Sequence, residues 1–236
     1  MLRTVIAYIF FLPWTLFIMI TGLPLSFISP NLLHNYGRFW ARVCLVVAGV
    51  RLEIEGRENI PAEGAHIYMP NHQSAFDILV LFAGLPDQFR WLAKHELFKI
   101  PLFGLCMRQC GYIPINRSDR KKAVASMNKA AQRIHDGTSV VIFPEGTRSE
   151  NGNLLPFKKG GFIMAMQAQV PIIPVAIDGS CKVHRKHSMR VKPGTIRTTI
   201  FPPIPTEGLN PSHRDDLMEQ VRQQISRGLS AERSSS

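Results

Sequence analysis

A histidine and an aspartate stand five positions apart, at His72 and Asp77, directly after the apolar residues 66–69. On a regular helix of ~3.6 residues per turn these side chains would point about 140° apart, so they can meet only if His72 precedes the helix. Ser74 is a good helix N-cap, which predicts a helix over residues 74–82 with Asp77 in its first turn, pointing back toward His72. A carboxylate bonded to one imidazole nitrogen fixes the tautomer and leaves the other nitrogen as a base. The spacing therefore predicts an acid–base pair.

This pair is half of a catalytic triad, and the sequence around it does not supply the other half. There is no G-x-S-x-G turn, and the nearby Ser74 is used by the helix cap. We therefore expect the nucleophile to be a hydroxyl of the substrate rather than a serine of the protein. The alternative is that Asp77 only caps the helix and His72 is a surface residue of the loop.

A second group of residues, 143–149, follows a predicted buried strand over residues 139–143. Gly146 and Thr147 offer backbone and hydroxyl donors, and Arg148 can bind a phosphate through two parallel hydrogen bonds. The alternative is a tight turn with a solvated arginine. The residue types favour an anion site at the end of this strand.

Two more cations follow predicted strands. Arg117 stands just before a predicted helix over residues 118–136 with Ser118 as its N-cap. A cation beside a helix N-terminus is unfavourable unless an anion lies between them, which again indicates an anion site. Lys94 ends a third predicted strand. Arg117, Arg148 and Lys94 would then converge on one anion.

The elements that must position these residues alternate between helix and strand after residue 50. Short apolar runs typical of buried strands and longer helical patterns follow one another up to a polar helix over residues 211–229. This alternation predicts an α/β fold with a mainly parallel sheet flanked by helices, which is the fold that gathers functional side chains at the carboxyl ends of its strands. One further strand is expected over residues 190–201.

The N-terminal region has a different composition. Residues 4–37 contain no Asp, Glu, Lys or Arg. The apolar run of residues 5–28 would reach about 36 Å as a helix at ~1.5 Å per residue, enough for a hydrocarbon core of roughly 30 Å, although Pro13 and Pro24 argue against a straight helix. A signal peptide is the alternative, but its apolar region is shorter, about 7–15 residues.

A second apolar stretch, residues 31–50, follows Ser29 and Pro30, a good pair for starting a helix. It carries Arg38 and Arg42, which is typical of an amphipathic helix at a membrane interface. We expect residues 1–50 to form a two-helix membrane anchor, spanning or re-entrant, and residues 51–236 to form the α/β domain. The arginines around the anchor favour the cytoplasmic side, which would be that of the inner membrane in a bacterium.

Composition limits the remaining function classes. The chain of 236 residues has 45% hydrophobic and 19% charged residues, which excludes a disordered or coiled-coil protein and predicts one core. Its net charge of +11 points to a phosphate-bearing partner, either nucleic acid or anionic lipid. The sequence shows no nucleic-acid-binding module, so we expect no nucleic-acid partner. The four cysteines form no C-x-x-C pair, and Cys181, His184 and His187 lie among basic residues, so we expect no metal site and a reducing compartment.

With these residues in view, the sequence resembles the 1-acylglycerol-3-phosphate O-acyltransferase (lysophosphatidic acid acyltransferase) family over residues 51 to about 201. Four blocks occur in the family's order. The first is the HX4D motif, Asn71-His72 with Asp77, and the third is the Glu-Gly-Thr-Arg of residues 143–149. The second and fourth are residues 111–117 and the Pro-rich residues 170–175. One block alone would be weak, but four in order with suitable spacing are strong.

The resemblance implies transfer of a fatty acyl group from acyl-CoA or acyl carrier protein to the sn-2 hydroxyl of lysophosphatidic acid, giving phosphatidic acid for phospholipid biosynthesis. The implied catalytic residues are His72 as base and Asp77 as its orienting partner. The acceptor phosphate would be bound by Arg117 and Arg148 with help from Lys94.

The remaining residues of the third block, Glu145, Gly146 and Thr147, would shape the same acceptor site. No metal or cofactor is implied, and membrane lipid is a partner because acceptor and product lie in the bilayer. Two alternatives remain: an acyltransferase for another lysolipid or for glycerol-3-phosphate, and a non-catalytic lipid-binding protein. The second would be expected to lack His72 or Asp77, and both are present.

Overall fold

The computed structural model describes residues 2–116 and 119–230. Its helices and strands follow the predicted alternation. In chain order they are α1 (Leu2–Gly22), α2 (Pro30–Ala48), β1 (Val50–Glu55), β2 (Ile67–Pro70), α3 (Phe76–Gly84), β3 (Arg90–Lys94), α4 (Pro101–Gln109), β4 (Ile113–Ile115), α5 (Arg120–His135), β5 (Val140–Val141), α6 (Lys159–Ala168), β6 (Ile172–Asp178), α7 (Ser180–Val183), β7 (Gly194–Ile200) and α8 (Arg214–Ser230).

The strands form one seven-stranded sheet in the order β1-β7-β6-β2-β5-β3-β4. Every pairing is parallel except that of β6 with β7. All four residues of β2 and nearly all of β6 are buried, as expected of central parallel strands that are covered on both faces. The prediction of a mainly parallel α/β sheet flanked by helices is confirmed.

Helices cover both faces of the sheet and create two apolar cores. On one face, α2 and α3 contribute Ala41, Leu45 and Phe82 to a core that also contains Trp91 of β3. On the other face, α5, α6 and α8 pack through residues such as Phe162. Burial of these side chains contributes about 1.5–3 kcal/mol each for the larger ones, so both layers stabilise the sheet that carries the site.

The N-terminal apolar run is helical. The segment Thr4–Phe27 is long and apolar enough to cross a membrane, with a mean hydropathy of 2.0 in an 18-residue window of which 11% is buried. It is the one helix in residues 2–116 and 119–230 that meets this description. The second helix, α2, begins at Pro30, one residue before the predicted stretch, with Ser29 as N-cap, and it packs into the core through Ala41 and Leu45. The two-helix anchor and the boundary at residue 50 remain predictions.

Both ends of α1 contact the α/β domain. At its start, the Thr4 hydroxyl donates to Val191 O and accepts from Val191 N, both at 3.2 Å. Near its end, Met19 packs against a small apolar cluster that includes Cys106 of α4, and Cys106 Sγ donates to Met19 O at 3.9 Å. The helix therefore lies along the domain instead of projecting from it.

Several boundaries differ from the sequence predictions, among them those of β5 (139–143 predicted) and α8 (211–229 predicted), and three more have an identifiable cause. Helix α5 is capped by Asp119, whose carboxylate accepts from Lys122 N, and the predicted cap Ser118 lies outside the described residues. Helix α3 begins at Phe76, two residues after the predicted start, because Ser74 is held in the preceding loop by other bonds. The strand predicted from residue 190 begins at Gly194, since the chain before it runs as an irregular basic loop.

Candidate active site

Four neighbouring parallel strands, in the order β2-β5-β3-β4, end at the same edge of the sheet. His72 follows β2, and residues 145–148 follow β5. Lys94 is the last residue of β3, and β4 ends two residues before Arg117, which lies outside the described residues. The topology therefore brings the described members of the predicted site, from His72 to Arg148, to one edge, as expected for a parallel sheet.

The predicted pair His72 and Asp77 is formed. His72 Nδ1 donates to Asp77 Oδ2 at 2.8 Å. The Asp77 side chain is fully buried and that of His72 is 14% exposed. Because Nδ1 is engaged with a carboxylate, the tautomer is set and Nε2 carries a free lone pair. The arrangement leaves Nε2 able to accept a proton.

Backbone donors hold Asp77 in place. Its Oδ2 also accepts from Gln73 N at 2.7 Å and from Ser74 N at 2.8 Å. The Ser74 hydroxyl accepts from Phe76 N at 3.2 Å and donates to His184 O at 2.7 Å. The carboxylate, in the first turn of α3, therefore orients the histidine and holds the loop before the helix, whereas the N-cap residue Ala75 makes no side-chain capping bond.

An aromatic column supports the imidazole. The ring of Phe143, two residues after β5, stacks on His72 with a centroid separation of 3.8 Å and an interplanar angle of 15°. Trp91 stacks behind Phe143 at 5.8 Å, and Phe82 of α3 lies 5.5 Å from Trp91. Phe82 in turn contacts His34 of α2 at 5.4 Å. A continuous run of rings therefore connects α2 to the catalytic imidazole.

Glu145 binds the backbone on both sides of the site. Its Oε1 accepts from His72 N at 2.6 Å, and its Oε2 accepts from Leu155 N at 2.8 Å. The residue is 1% exposed, and burial raises the pKa of this carboxyl to about 7. A second bond, from Ser149 N to His72 O at 2.8 Å, joins the same two loops. Glu145 therefore fixes the main chain of His72 to the loop after β5.

Asn71 joins the catalytic loop to the central strand β6. Its side chain donates to Ile177 O at 2.9 Å and accepts from Ile177 N at 2.7 Å. Both bonds are buried. They let the chain leave β2 toward α3 without leaving polar backbone groups of β6 unpaired.

The predicted anion-binding residues are more open. Gly146 has a φ of 72°, which favours glycine, and Thr147 is exposed. Arg148 is half-buried. Burial lowers the pKa of His184, and the positive charge of the nearby Arg148 lowers it further. The Lys94 side chain is 64% exposed, with its ammonium 4.0 Å from Glu96 Oε2. The structure does not bring Lys94 into contact with His72 or Arg148.

An apolar cavity of about 270 Å³ lies beside the catalytic loop. Side chains of α1, α2 and the first turns of α3 line it, together with His184 and Val191. Ala75 and Phe76, next to Ser74, belong to its wall. The cavity therefore joins the catalytic loop to the N-terminal helices.

Comparison with known proteins places this arrangement in a family. Residues 51–178 match the family model described as Acyltransferase. The chain belongs to the acyltransferase family. The matched residues include every described site residue named above from His72 to Arg148.

Individual relatives agree with this assignment. The chain is 33% identical over 216 residues to the human 1-acyl-sn-glycerol-3-phosphate acyltransferase alpha, covering 90% of this chain and 76% of the human one. It is 33% identical over 215 residues to the 1-acyl-sn-glycerol-3-phosphate acyltransferase of Limnanthes douglasii, covering 91% and 76%.

A solved structure extends the likeness to the whole fold. The crystal structure of the 1-acyl-sn-glycerophosphate (LPA) acyltransferase PlsC from Thermotoga maritima superposes with a TM-score of 0.82 at 25% identity. It covers 98% of this chain and 95% of that chain. The N-terminal helices are therefore part of the shared architecture, because a match over residues 51–178 alone would cover far less.

Some contributors to the site were not predicted from the sequence. Phe143 enters the prediction only as the first residue of the 143–149 motif, and its stacking on His72 has no signal in residue spacing. The role of Leu155 N as the second donor to Glu145 is also invisible in the sequence, since any residue but proline offers that group. The bond from Ser74 to His184 joins positions 110 residues apart.

Proposed function

We propose that this protein transfers a fatty acyl group from a thioester to the sn-2 hydroxyl of 1-acylglycerol-3-phosphate, forming phosphatidic acid. The observation that carries the proposal is the His72–Asp77 pair held at the carboxyl edge of the sheet, with Arg148 on the neighbouring loop. The names of the relatives support the same acceptor.

The chemistry follows from the free nitrogen of His72. Nε2 takes the proton of the acceptor hydroxyl while its oxygen attacks the thioester carbonyl. The tetrahedral intermediate collapses with cleavage of the carbon–sulfur bond, and the imidazolium returns its proton to the departing thiolate. Asp77 stabilises the imidazolium and keeps its orientation. The donor is acyl-CoA or acyl carrier protein, and no cofactor takes part.

The acceptor phosphate binds at the loop after β5. Arg148 provides a planar pair of donors that matches a phosphate. Arg117 and Lys94 follow the adjacent strands and add positive charge at the same edge. Gly146 and Thr147 shape this pocket, and Glu145 shapes it indirectly by holding the loop against His72. The apolar cavity beside Ala75 is suited to an acyl chain.

The protein acts at a membrane, with the α/β domain on the cytoplasmic face. The exposed apolar surface of α1 and the lipid nature of the acceptor support this placement. Contacts of Thr4 and Met19 with the domain, at opposite ends of α1, favour a re-entrant anchor over one that projects through the bilayer.

The test is an acyl-transfer assay with purified protein. Labelled acyl thioester is offered with a panel of lysolipids and with glycerol-3-phosphate, and the labelled products are separated. We expect labelled phosphatidic acid from the lysophosphatidic acid reaction and none from the His72→Ala variant. Preference for glycerol-3-phosphate or for a lysolipid without a terminal phosphate would contradict the proposed acceptor, and absence of turnover with every acceptor would contradict the activity.

A further inference from the structure

A strongly basic segment precedes β7. Residues 182–192, called the basic segment here, contain five Lys or Arg and two His residues and no Asp or Glu. Among residues 2–116 and 119–230, Lys186 is the member of this segment that forms an ion pair, with Glu150 Oε1 at 3.2 Å. Arg185, Arg190 and Lys192 are exposed. The segment therefore presents concentrated positive charge to whatever lies outside the protein.

The basic segment borders the apolar surface of the N-terminal helix. Val191 forms two hydrogen bonds with Thr4, at the start of α1. From the next residue onward α1 exposes large apolar side chains, with Val5 52% and Ile9 69% exposed. Positive charge at the margin of an exposed apolar helix is the pattern of a protein surface that meets anionic lipid headgroups.

An apolar side chain stands within the basic segment itself. Met189 is 70% exposed, and Arg190 follows it directly. Exposure of an apolar side chain to water is unfavourable. At a membrane surface the same side chain can enter the boundary between headgroups and acyl chains, while the neighbouring cations stay with the phosphates. Met189 therefore favours a lipid partner over a soluble acidic protein.

The basic segment is also joined to the catalytic loop. His184 O accepts from the Ser74 hydroxyl, and the His184 ring lies 5.9 Å from that of Phe76. Arg148, the proposed phosphate ligand, is close enough to act electrostatically on His184. The basic segment is thus joined to the catalytic loop through His184 and lies close to Arg148 of the proposed acceptor site.

We propose that the basic segment is a second membrane-docking element, which binds anionic phospholipid headgroups through Arg185, Arg190 and Lys192 and inserts Met189 at the interface. Together with α1 it would fix the orientation of the domain on the bilayer and hold the catalytic loop beside the lipid surface. The partner is a phosphate-bearing bilayer surface, not a single bound lipid.

The experiment compares the affinity of the full chain for two kinds of vesicle, phosphatidylcholine alone and phosphatidylcholine with phosphatidylglycerol, at low salt. Helix α1 contributes to binding of both vesicles, so the ratio of the two affinities isolates the charge contribution. Each cation near an anionic surface contributes about fivefold in affinity. The triple variant Arg185→Gln, Arg190→Gln, Lys192→Gln should therefore lower the ratio by about 100-fold.

A matched control removes the same charge elsewhere. Lys121→Gln, Lys122→Gln, Lys129→Gln changes three exposed lysines of α5, which packs on the other face of the sheet from α2 and α3. We expect this variant to keep most of the wild-type ratio, and Met189→Ser to weaken binding to both vesicles. Circular dichroism confirms that each variant is folded, and vesicle binding is measured without turnover, so its outcome is independent of the proposed activity.

Two results would overturn the proposal. One is an affinity ratio that falls equally in the α5 control, which would mean that net charge alone attracts the vesicles. The other is an unchanged ratio in the triple variant with an increased KM for acyl carrier protein or acyl-CoA, which would assign the segment to the donor.

Discussion

The His72–Asp77 pair and the proposed phosphate-binding residues Lys94 and Arg148 lie at the same edge of one sheet but are held in different ways. Asp77 is buried and its Oδ2 accepts three hydrogen bonds, while the ring and the main chain of His72 are held by Phe143 and Glu145. Lys94, in contrast, is 64% exposed, and Arg148 is only half-buried.

The difference shows which part of the reaction requires a prebuilt site. Proton transfer needs the base within hydrogen-bond distance and in one orientation before the substrate arrives, and packing around His72 provides this. A phosphate brings two negative charges and several acceptors of its own, so long cationic side chains can adjust to it on binding. The predictions below test whether the two halves respond to mutation as differently as they are built.

The largest effect is expected from His72→Ala. Loss of a well-placed general base should lower kcat by roughly 10²–10⁴-fold, while the lysolipid KM and the fold change little because His72 lies in a loop. Steady-state turnover of the purified variant measures kcat and KM, and thermal unfolding measures the stability of the fold. A variant with nearly normal kcat would show that another group accepts the proton.

Arg148→Ala should act on binding. Loss of a charge-assisted pair of hydrogen bonds should cost roughly 1.5–3 kcal/mol, about 10- to 150-fold in kcat/KM, mostly through the KM for the lysolipid. Arg148→Lys should recover part of this because it keeps the charge but loses the planar geometry. The assignment would be wrong if donor and acceptor KM values rose equally, or if an acceptor without phosphate restored the wild-type rate.

Glu145→Gln distinguishes positioning from binding within the same motif. A glutamine can accept one of the two backbone N–H bonds, but its amide group would meet the other donor, so the main chain of His72 must shift. We expect kcat to fall roughly 10- to 100-fold with little change in the lysolipid KM. A raised KM with normal kcat would instead mean that Glu145 contacts the acceptor directly.

The same variant allows a test by pH. Burial raises the pKa of Glu145 from 4.5 to about 7. The folded state therefore holds this proton more tightly than the unfolded state, and the associated stability, complete below pH 4.5, is lost as the pH rises toward 7. Glu145→Gln has no such proton, so its melting temperature relative to wild type should rise between pH 5 and pH 8. A constant difference would mean that the carboxyl titrates normally.

The smallest kinetic effect is expected from Lys94→Ala. An exposed cation contributes about 0.2–1 kcal/mol, so kcat/KM for the lysolipid should fall about 1.5- to fivefold. The difference between the variant and the wild type should become smaller at high salt, because salt screens exposed charges. A loss as large as that of Arg148→Ala would show that Lys94 closes onto the phosphate when the acceptor binds.

The sequence predicted the fold and the contact between His72 and Asp77 because both depend on local patterns. Apolar runs such as residues 172–177 identify buried strands, and the HX4D spacing with Ser74 requires His72 to lie before the helix. The cap of α5 was misplaced by one residue because Ser118 and Asp119 are both good N-caps, and spacing alone does not choose between them.

Contacts between distant segments could not be predicted in this way. The two bonds from Asn71 to Ile177 and the stacking of Phe143 on His72 arise when β2, β5 and β6 come together in the sheet. The packing of α2 into the core was also not predicted, because Arg38 and Arg42 are typical of an amphipathic helix at a membrane interface. Tertiary packing decides such features, and one sequence contains no direct measure of it.

The aromatic column also makes the protein its own optical reporter. Trp91 stands two rings from the catalytic imidazole, whereas Trp14 and Trp40 lie in the N-terminal helices. Replacing those two by phenylalanine would leave Trp91 as the single source of tryptophan emission. Movement or protonation of His72 would reach that indole through Phe143, so the arrival of a substrate could be followed as a change in fluorescence, without a label and before any bond is made.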